Sequence, residues 1–415
     1  HIIDKALDGM RTSAEWWRSH FAQTLRSMGF FASRSDQDVW LRERDDKSGY
    51  EYICTHVDDF KIVAKDPWHY MKIIQSQYIV KDIGPPSYYL GNDYFVRPDG
   101  FRYVGSSTYV KEALRRVQDK FGELTKERSP APRDDHPELD ESALCTPDEI
   151  RIFQGLIGTA QWIVLLGRMD IAQAVTSLSR FNVAPRQGHL ARAFRIFGYL
   201  KRHKHRCIRI DPRSPLIDHG LLATNNPPDF TDIYPDACEE IDSKLPVPLG
   251  AELDTTAVLD ADHAHDTVTR RSITGILLFV GRTPVQWISR RQGSVQSSTY
   301  SAEFIAMRTG VEELLALRYA LRSFGVPVSR ASRVFGDNMS VLLNISTPDS
   351  QLKKKNLAIA YHLVRENVAA LVMEPFYIPT SQNFADFLTK QLASTVHEYH
   401  AKGLLYHYAP PHLHD

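Results

Sequence analysis

The chain holds 415 residues, 43% of them apolar and 24% charged, with 50 basic side chains matching 50 acidic ones. Such a composition describes about two or three globular cores and excludes a disordered tail, and the neutral sum leaves any steering of a polyanion to local patches. No stretch reaches the roughly 18 apolar residues of a membrane span, and the four scattered cysteines, Cys54, Cys145, Cys207 and Cys238, form no CxxC pair, which speaks against a zinc module or a disulfide scaffold and suits a reducing compartment.

The chain opens at His1 in mid-pattern, with neither initiator methionine nor signal segment, and the expectation is a processed product, an excised piece or an incomplete reading of a longer protein. Trp17, Phe21, Leu25 and Met28 recur at helical steps before Gly29, which predicts an amphipathic helix over 14–30. Residues 38–42 and 50–56 predict strands, and Asp58 and Asp59 fall in the turn before a third at 60–64, a hairpin with acids at its tip. A helix follows Pro67 through Met71, Ile74 and Tyr78, then strands at 88–96 and 101–105 and a helix near 108–121. Residues 126–147, rich in Pro, Asp and Glu, read as a linker or exposed loop. Helices at 148–166, 170–182 and 187–203 make a connector spanning 148–211, and 212–250 reads as an irregular excursion.

Beyond a boundary near 250 the order of elements changes. A strand at 256–259 leads through an acidic turn to strands at 273–280 and 285–289. A long helix over 301–324 buries Phe304, Val311, Leu314, Leu315 and Leu321. A strand at 332–335, helices near 338–346 and 354–369, a strand at 372–378 and a final helix at 383–392 complete a small mixed α/β domain over 254–395, with a tail at 396–415.

Four acids of this domain sit at or near the ends of elements: Asp260 in VLDADHAHD, Glu303 in SSTYSAEF, Asp337 in VFGDN and Asp386 in NFADFLTK. Acids at helix starts complement the helix dipole, which alone would explain Glu303 and Asp386. Four together imply more, because a helix crossing the sheet brings Glu303 over the strands that carry Asp260 and Asp337. Converging carboxylates repel one another unless cations lie between them, and hard oxygen ligands suit Mg²⁺, with Mn²⁺ as the alternative. Two such ions are a standard means of phosphodiester hydrolysis. Basic runs stand nearby at Arg270-Arg271, Arg290-Arg291 and Lys353-Lys354-Lys355, and a further one, KRHKHR, at 201–206.

Residues 254–392 resemble the ribonuclease H domain of Ty1/copia-type retrotransposon Pol polyproteins through DADHAHDTVTRRSITG, QWISRRQGSVQSSTYSAEF, GDNMSV, LKKKNLAIAYHLVRE and IPTSQNFADFLTKQL, in that order. The resemblance implies that Asp260, Glu303, Asp337 and Asp386 are the catalytic, metal-binding carboxylates, with Asp262 ranked below them. It implies that Asp260 bridges two ions, that Glu303 and Asp337 hold the one on the leaving-group side, and that Asp386 helps hold the one that activates water. Arg270, Arg271, Arg290, Lys354 and Lys355 become candidates for contact with the backbone of an RNA–DNA hybrid, the implied partner. His263 stands where the family has another aromatic, and His265 where it has a small residue.

The first 125 residues resemble the later half of the reverse transcriptase domain of the same polyproteins, through KALDGMRTSAEWWRSHFAQTLRSMGF, THVDDF, with His56 in place of the usual tyrosine, and GPPSYYLGNDYF. The implied fold class is α/β and α+β: a truncated palm- and thumb-like polymerase region, a helical connector and a C-terminal mixed-sheet domain. Asp58 and Asp59 are then an incomplete polymerase site, since the family's other carboxylate belongs to a strand expected upstream of His1. The expectation is a polyprotein fragment that cuts the RNA of a hybrid but does not polymerise alone, acting inside the cell in the cytoplasmic virus-like particle, with a nuclear phase open. The missing N-terminal part of the polyprotein is a second implied partner. The rival reading is an inactive nucleic-acid-binding remnant. An integrase is disfavoured by the lack of a His/Cys cluster, and an aspartic protease by the DTT at 254–256.

Overall fold

The computed structural model describes residues 13–81, 83–215, 228–352 and 354–413. All of KALDGMRT, residues 216–227 of the 212–250 excursion and Lys353 lie outside the described residues. Two compact units are present, each built from separated stretches of chain. One comprises residues 1–86, 240–253 and 315–329, the other 87–239, 254–314 and 330–415.

In the first unit α1 (Ser13–Ser27) is followed by β1 (Phe31–Ala32), β2 (Val39–Glu43), β3 (Tyr50–His56), β4 (Asp59–Val63) and α2 (Pro67–Gln75). The four strands form one antiparallel sheet in sequential order. Phe21 and Leu25 from α1, Trp40 and Ile53 from the sheet, and Ile74 from α2 share its core. Asp66 starts α2 by accepting from the backbone N–H groups of Trp68 and His69. The β3–β4 hairpin turns at Val57-Asp58, where Val57 has a φ of 54°, a left-handed conformation strained for a β-branched residue. The Trp17 indole N–H donates to the Val57 carbonyl at 2.7 Å and helps hold that turn.

The second unit opens with β5 (Tyr88–Tyr89), β6 (Asn92–Val96), β7 (Arg102–Gly105) and α3 (Ser107–Phe121). Then come α4 (Pro147–Leu165), α5 (Ala172–Ser179), α6 (Gln187–Arg202) and β8 (Arg206–Ile210). Thr146 and Glu149 close a reciprocal capping box at the start of α4. Phe153, Ile157, Ile163, Ile196 and Phe197 fill the space among α3–α6. Residues 126–146 hold a short 3₁₀ turn (Pro137–Leu139) and a single β-bridge from Leu144 to Arg186, and ion pairs tie them down: Arg192 with Asp135 and Asp140, and Arg180 with Glu138.

The remaining elements are β9 (Thr255–Asp262), β10 (Arg271–Val280), β11 (Thr283–Val295), α7 (Thr299–Ser323), β12 (Ser332–Gly336), α8 (Met339–Ser346), α9 (Ala358–Ala369), β13 (Met373–Tyr377), α10 (Ser394–Leu404) and β14 (Tyr406–His407). Two five-stranded sheets result. One is antiparallel with order β14-β8-β7-β6-β5. The other is mixed, order β11-β10-β9-β12-β13, antiparallel as far as β9 and parallel from β9 through β12 to β13. A mixed α/β and α+β architecture with several sheets is therefore present.

Two details differ from the sequence expectation. The helix expected over 383–392 is only a 3₁₀ turn, Phe384–Leu388. Asn383 starts it by accepting from the Ala385 N–H and ties it to the sheet by donating to the Leu259 carbonyl at 2.9 Å. The tail at 396–415 contains most of α10 and all of β14, which pairs with β8. Positions 397, 400, 401 and 404 form the buried face of α10, but histidines occupy the first two, so the apolar period is hidden in the sequence.

Candidate metal centre

β9 runs through the middle of the mixed sheet, and alternation along it sends Leu259 and Ala261 to one face and Val258 and Asp260 to the other. α7 lies close against the Leu259 face. A Cβ on Gly310 would meet the Leu259 side chain at 2.4 Å, and Ala302 and Ala306 pack on Ala261. That close approach carries Glu303 to the end of β9. It lies beyond the first helical turn of α7, where the sequence suggested a place in that turn, so a helix-dipole role does not account for it. On β12, Phe335 pairs with Val258, and two residues further along each strand stand Asp337 and Asp260.

Asp260, Glu303 and Asp337 consequently converge: one carboxylate oxygen from each lies within 4.8 Å of the other two, a set able to hold one metal ion. Asp260 is 2% exposed, and the other two are half-buried. Burial pushes the Asp260 carboxyl above the ordinary range; Lys390 opposes the rise and Asp386 and Asp337 add to it. Glu303 is likewise pushed up, by burial first and then by Asp260 and Asp337. An acid whose proton is held by burial and by its neighbours' negative charge is a site short of positive charge. Hard oxygen donors with these properties suit a metal cation.

Asp386 stands beside this set. Its Oδ1 makes an ion pair with the Lys390 ammonium at 2.6 Å, and it is close enough to Asp260 and Asp337 for mutual repulsion. Burial raises Asp386, against the pull of Lys390. Lys390 itself would be lowered by burial, but Asp260 and Asp386 hold it above its usual value. An internal ammonium thus supplies part of the positive charge on the Asp386 side.

Two further residues position this corner. The Thr389 hydroxyl donates a short hydrogen bond to Asp260, and the Thr380 hydroxyl donates to Asp337 Oδ2 at 2.7 Å. Gly275, directly across from Asp260 on β10, leaves room for the 3₁₀ turn; a Cβ there would lie 2.7 Å from Thr389 and 2.8 Å from the Ala385 carbonyl. Thr389, Lys390 and Gly275 escaped the sequence reading because their roles depend on proximity to Asp260 across the fold.

The other sequence candidates are dispersed. Arg270 and Arg290 are exposed, Arg271 is half-buried at the start of β10, and Lys355 is exposed before α9. Lys354 donates to Ser297 and Ser301 at 3.2 and 3.0 Å and to Ser298, tying down the approach to α7. His263 is hydrogen-bonded to the Gln296 carbonyl, and buried His265 to Asp262. Asp58 and Asp59 are exposed in the first unit, and among the described residues no further carboxylate completes a metal group with them.

A mixed five-stranded sheet bearing a trio of converging carboxylates defines a candidate metal centre, consistent with nuclease-like hydrolysis. No family model matches the chain. It is similar to the retrovirus-related Pol polyprotein from transposon RE1 of Arabidopsis thaliana, 25% identical over 415 residues, 99% of this chain and 25% of that protein. It is also similar to the retrovirus-related Pol polyprotein from transposon TNT 1-94 of Nicotiana tabacum, 24% identical over 397 residues, 94% of this chain and 27% of that one. The chain therefore spans about a quarter of the length of these curated relatives. An N-terminal RNase H domain from Mycobacterium tuberculosis aligns with 36% of this chain and 98% of its own, at 14% identity and a TM-score of 0.26, too slight a likeness to identify a fold.

Proposed function

We infer that the chain is a piece of a retrotransposon Pol polyprotein whose mixed-sheet domain is a ribonuclease H, hydrolysing the RNA strand of an RNA–DNA hybrid. The observation that carries this reading is the convergence of Asp260, Glu303 and Asp337, three acids far apart in sequence, at the ends of β9 and β12 and on the helix across them. The similarity to Pol polyproteins over nearly the whole chain supports it.

Hydrolysis adds water across one P–O bond of the RNA backbone and leaves the departing oxygen protonated. Divalent ions supply Lewis acidity at the phosphate and a more acidic water. Asp260, the most buried of the trio and fixed by Thr389, is the fixed anchor of the site. Glu303 and Asp337 hold the leaving-group side. Asp386 would help hold a second ion, in competition with the Lys390 ammonium paired to its Oδ1 at 2.6 Å. Arg270, Arg271, Arg290, Lys354 and Lys355 would meet hybrid phosphates. Asp58 and Asp59 are read as half of a polymerase site, and no polymerase activity is expected from this polypeptide by itself.

The test is cleavage of a hybrid with labelled RNA in Mg²⁺ or Mn²⁺. The reading requires activity in the parent chain and its loss in Asp260→Asn and Asp337→Asn. Hybrid binding without cutting by the parent chain would instead identify an inactive binding remnant.

A further inference from the structure

The run KRHKHR at 201–206 has no part in the acidic centre, yet its Arg202, His203 and Arg206 line a groove of about 450 Å³ in the second unit. Lys126, Arg202, His203, Arg206, Lys402 and His407 line it, with Glu398 the one acid among the lining residues. Several elements build it. The 125–127 loop crosses α6 where Gly198 has no side chain: a Cβ there would meet the Thr125 carbonyl oxygen at 2.3 Å, and the Glu127 N–H donates to the Gly198 carbonyl. That crossing places Lys126 at the rim. β8 and β14 bring Arg206 and His407 side by side in register, and α10 contributes Glu398 and Lys402 one turn apart.

The charge in this groove is unbalanced. Lys126, Arg202, Arg206 and Lys402 are four permanent cations against Glu398, a formal excess of three. Glu398 is already shared, with Arg206 in a short contact, Lys402 at 3.6 Å and His203 at 3.8 Å. Asp170, behind Arg206, is spent on Arg168 as well. Burial, then Arg206, pushes His203 down to about 4, so it adds a polar edge but no charge at neutral pH. Lys201, next in sequence, pairs with Glu123, whereas among the described residues no carboxylate pairs with Lys126 or Arg202. In a chain with equal numbers of acids and bases, that local excess calls for an outside anion.

We propose that this groove binds backbone phosphates of the nucleic acid the protein acts on, as an anchoring site separate from the carboxylate centre. Arg206 is buried in the groove wall, held by Asp170 and Tyr199 through one nitrogen and by Glu398 through the other, so the exposed Lys126, Arg202 and Lys402 are the side chains that would meet a phosphate. The nucleic-acid assignment rests on the nuclease reading above; the anion affinity does not.

The experiment measures binding of a fluorescent hybrid of about 20 base pairs by full-length protein in chelator, across a salt series, for the parent chain and Lys126→Ala/Arg202→Ala. Both side chains are exposed. The double variant is expected to bind about tenfold more weakly and to flatten the slope of log affinity against log salt by about one to two, while cleavage at saturating hybrid is unchanged. Unchanged affinity and slope overturn the proposal. A variant that loses inorganic phosphate, followed by ³¹P line broadening, yet binds hybrid normally also overturns it in favour of a small-anion site. If the parent chain never cuts but the slope still falls, the groove stands and the nuclease reading fails. Lys126→Glu, on the loop alone, is read the same way should the Arg202 change disturb α6.

Discussion

Replacing Asp260 with asparagine should stabilise the metal-free protein, by an amount that depends on pH. Burial raises this carboxyl from 3.8 to about 7, Lys390 opposes, and Asp386 and Asp337 add. At about 1.4 kcal/mol for each tenfold change in proton affinity, ionising it inside the fold costs on the order of 4 kcal/mol. The sign follows from the raised value. Below about pH 4 both folded and unfolded chains hold the proton and no penalty exists; it grows as the pH climbs and is complete above about pH 7. Asparagine cannot ionise and keeps the shape, but it deprives Lys390 of one neighbour, so about 2–4 kcal/mol is the expected gain of variant over parent between about pH 4 and pH 8. Urea unfolding in chelator at the two pH values measures it. Added Mg²⁺ should stabilise the parent at the higher pH and leave the variant unmoved. A difference that is the same at both pH values, or a parent indifferent to Mg²⁺, would refute the reasoning.

Three other outcomes can be measured beside it. Gly275→Ala puts a methyl group against Thr389 and the Ala385 carbonyl and should cost about 1–3 kcal/mol, weakening Mn²⁺ binding in a calorimetric titration. Lys390→Met leaves Asp260 and Asp386 without their internal cation; thermal melts at about pH 8 should show a less stable apoprotein and a larger rise on adding Mg²⁺ than in the parent chain. Asp58→Asn and Asp59→Asn, at an exposed hairpin tip, should leave both the Mg²⁺-induced rise in melting temperature and hybrid cleavage unchanged.

The sequence revealed what short-range patterns encode. The hairpin carrying Asp58 and Asp59, the strands bearing Asp260 and Asp337 and the long helix bearing Glu303 all follow from periodicity and turn residues. What it concealed depends on distant neighbours. The 3₁₀ turn at Asp386 is set by Asn383 gripping the Leu259 carbonyl, a contact 124 residues away in sequence. Lys390 reads as an ordinary surface lysine until the fold places it beside Asp386 and near Asp260. α10 buries His397 and His400 on a face that apolar residues would normally announce. KRHKHR shows its charge in the sequence, but its groove needs Lys126 and Lys402 from elsewhere in the chain.

The most direct test is anomalous diffraction from a crystal grown with Mn²⁺. A peak about 2.2 Å from carboxylate oxygens of Asp260, Glu303 and Asp337 is the predicted result, and it should vanish in Glu303→Gln. No peak at that trio, or a peak at Asp58 and Asp59 alone, would contradict the account.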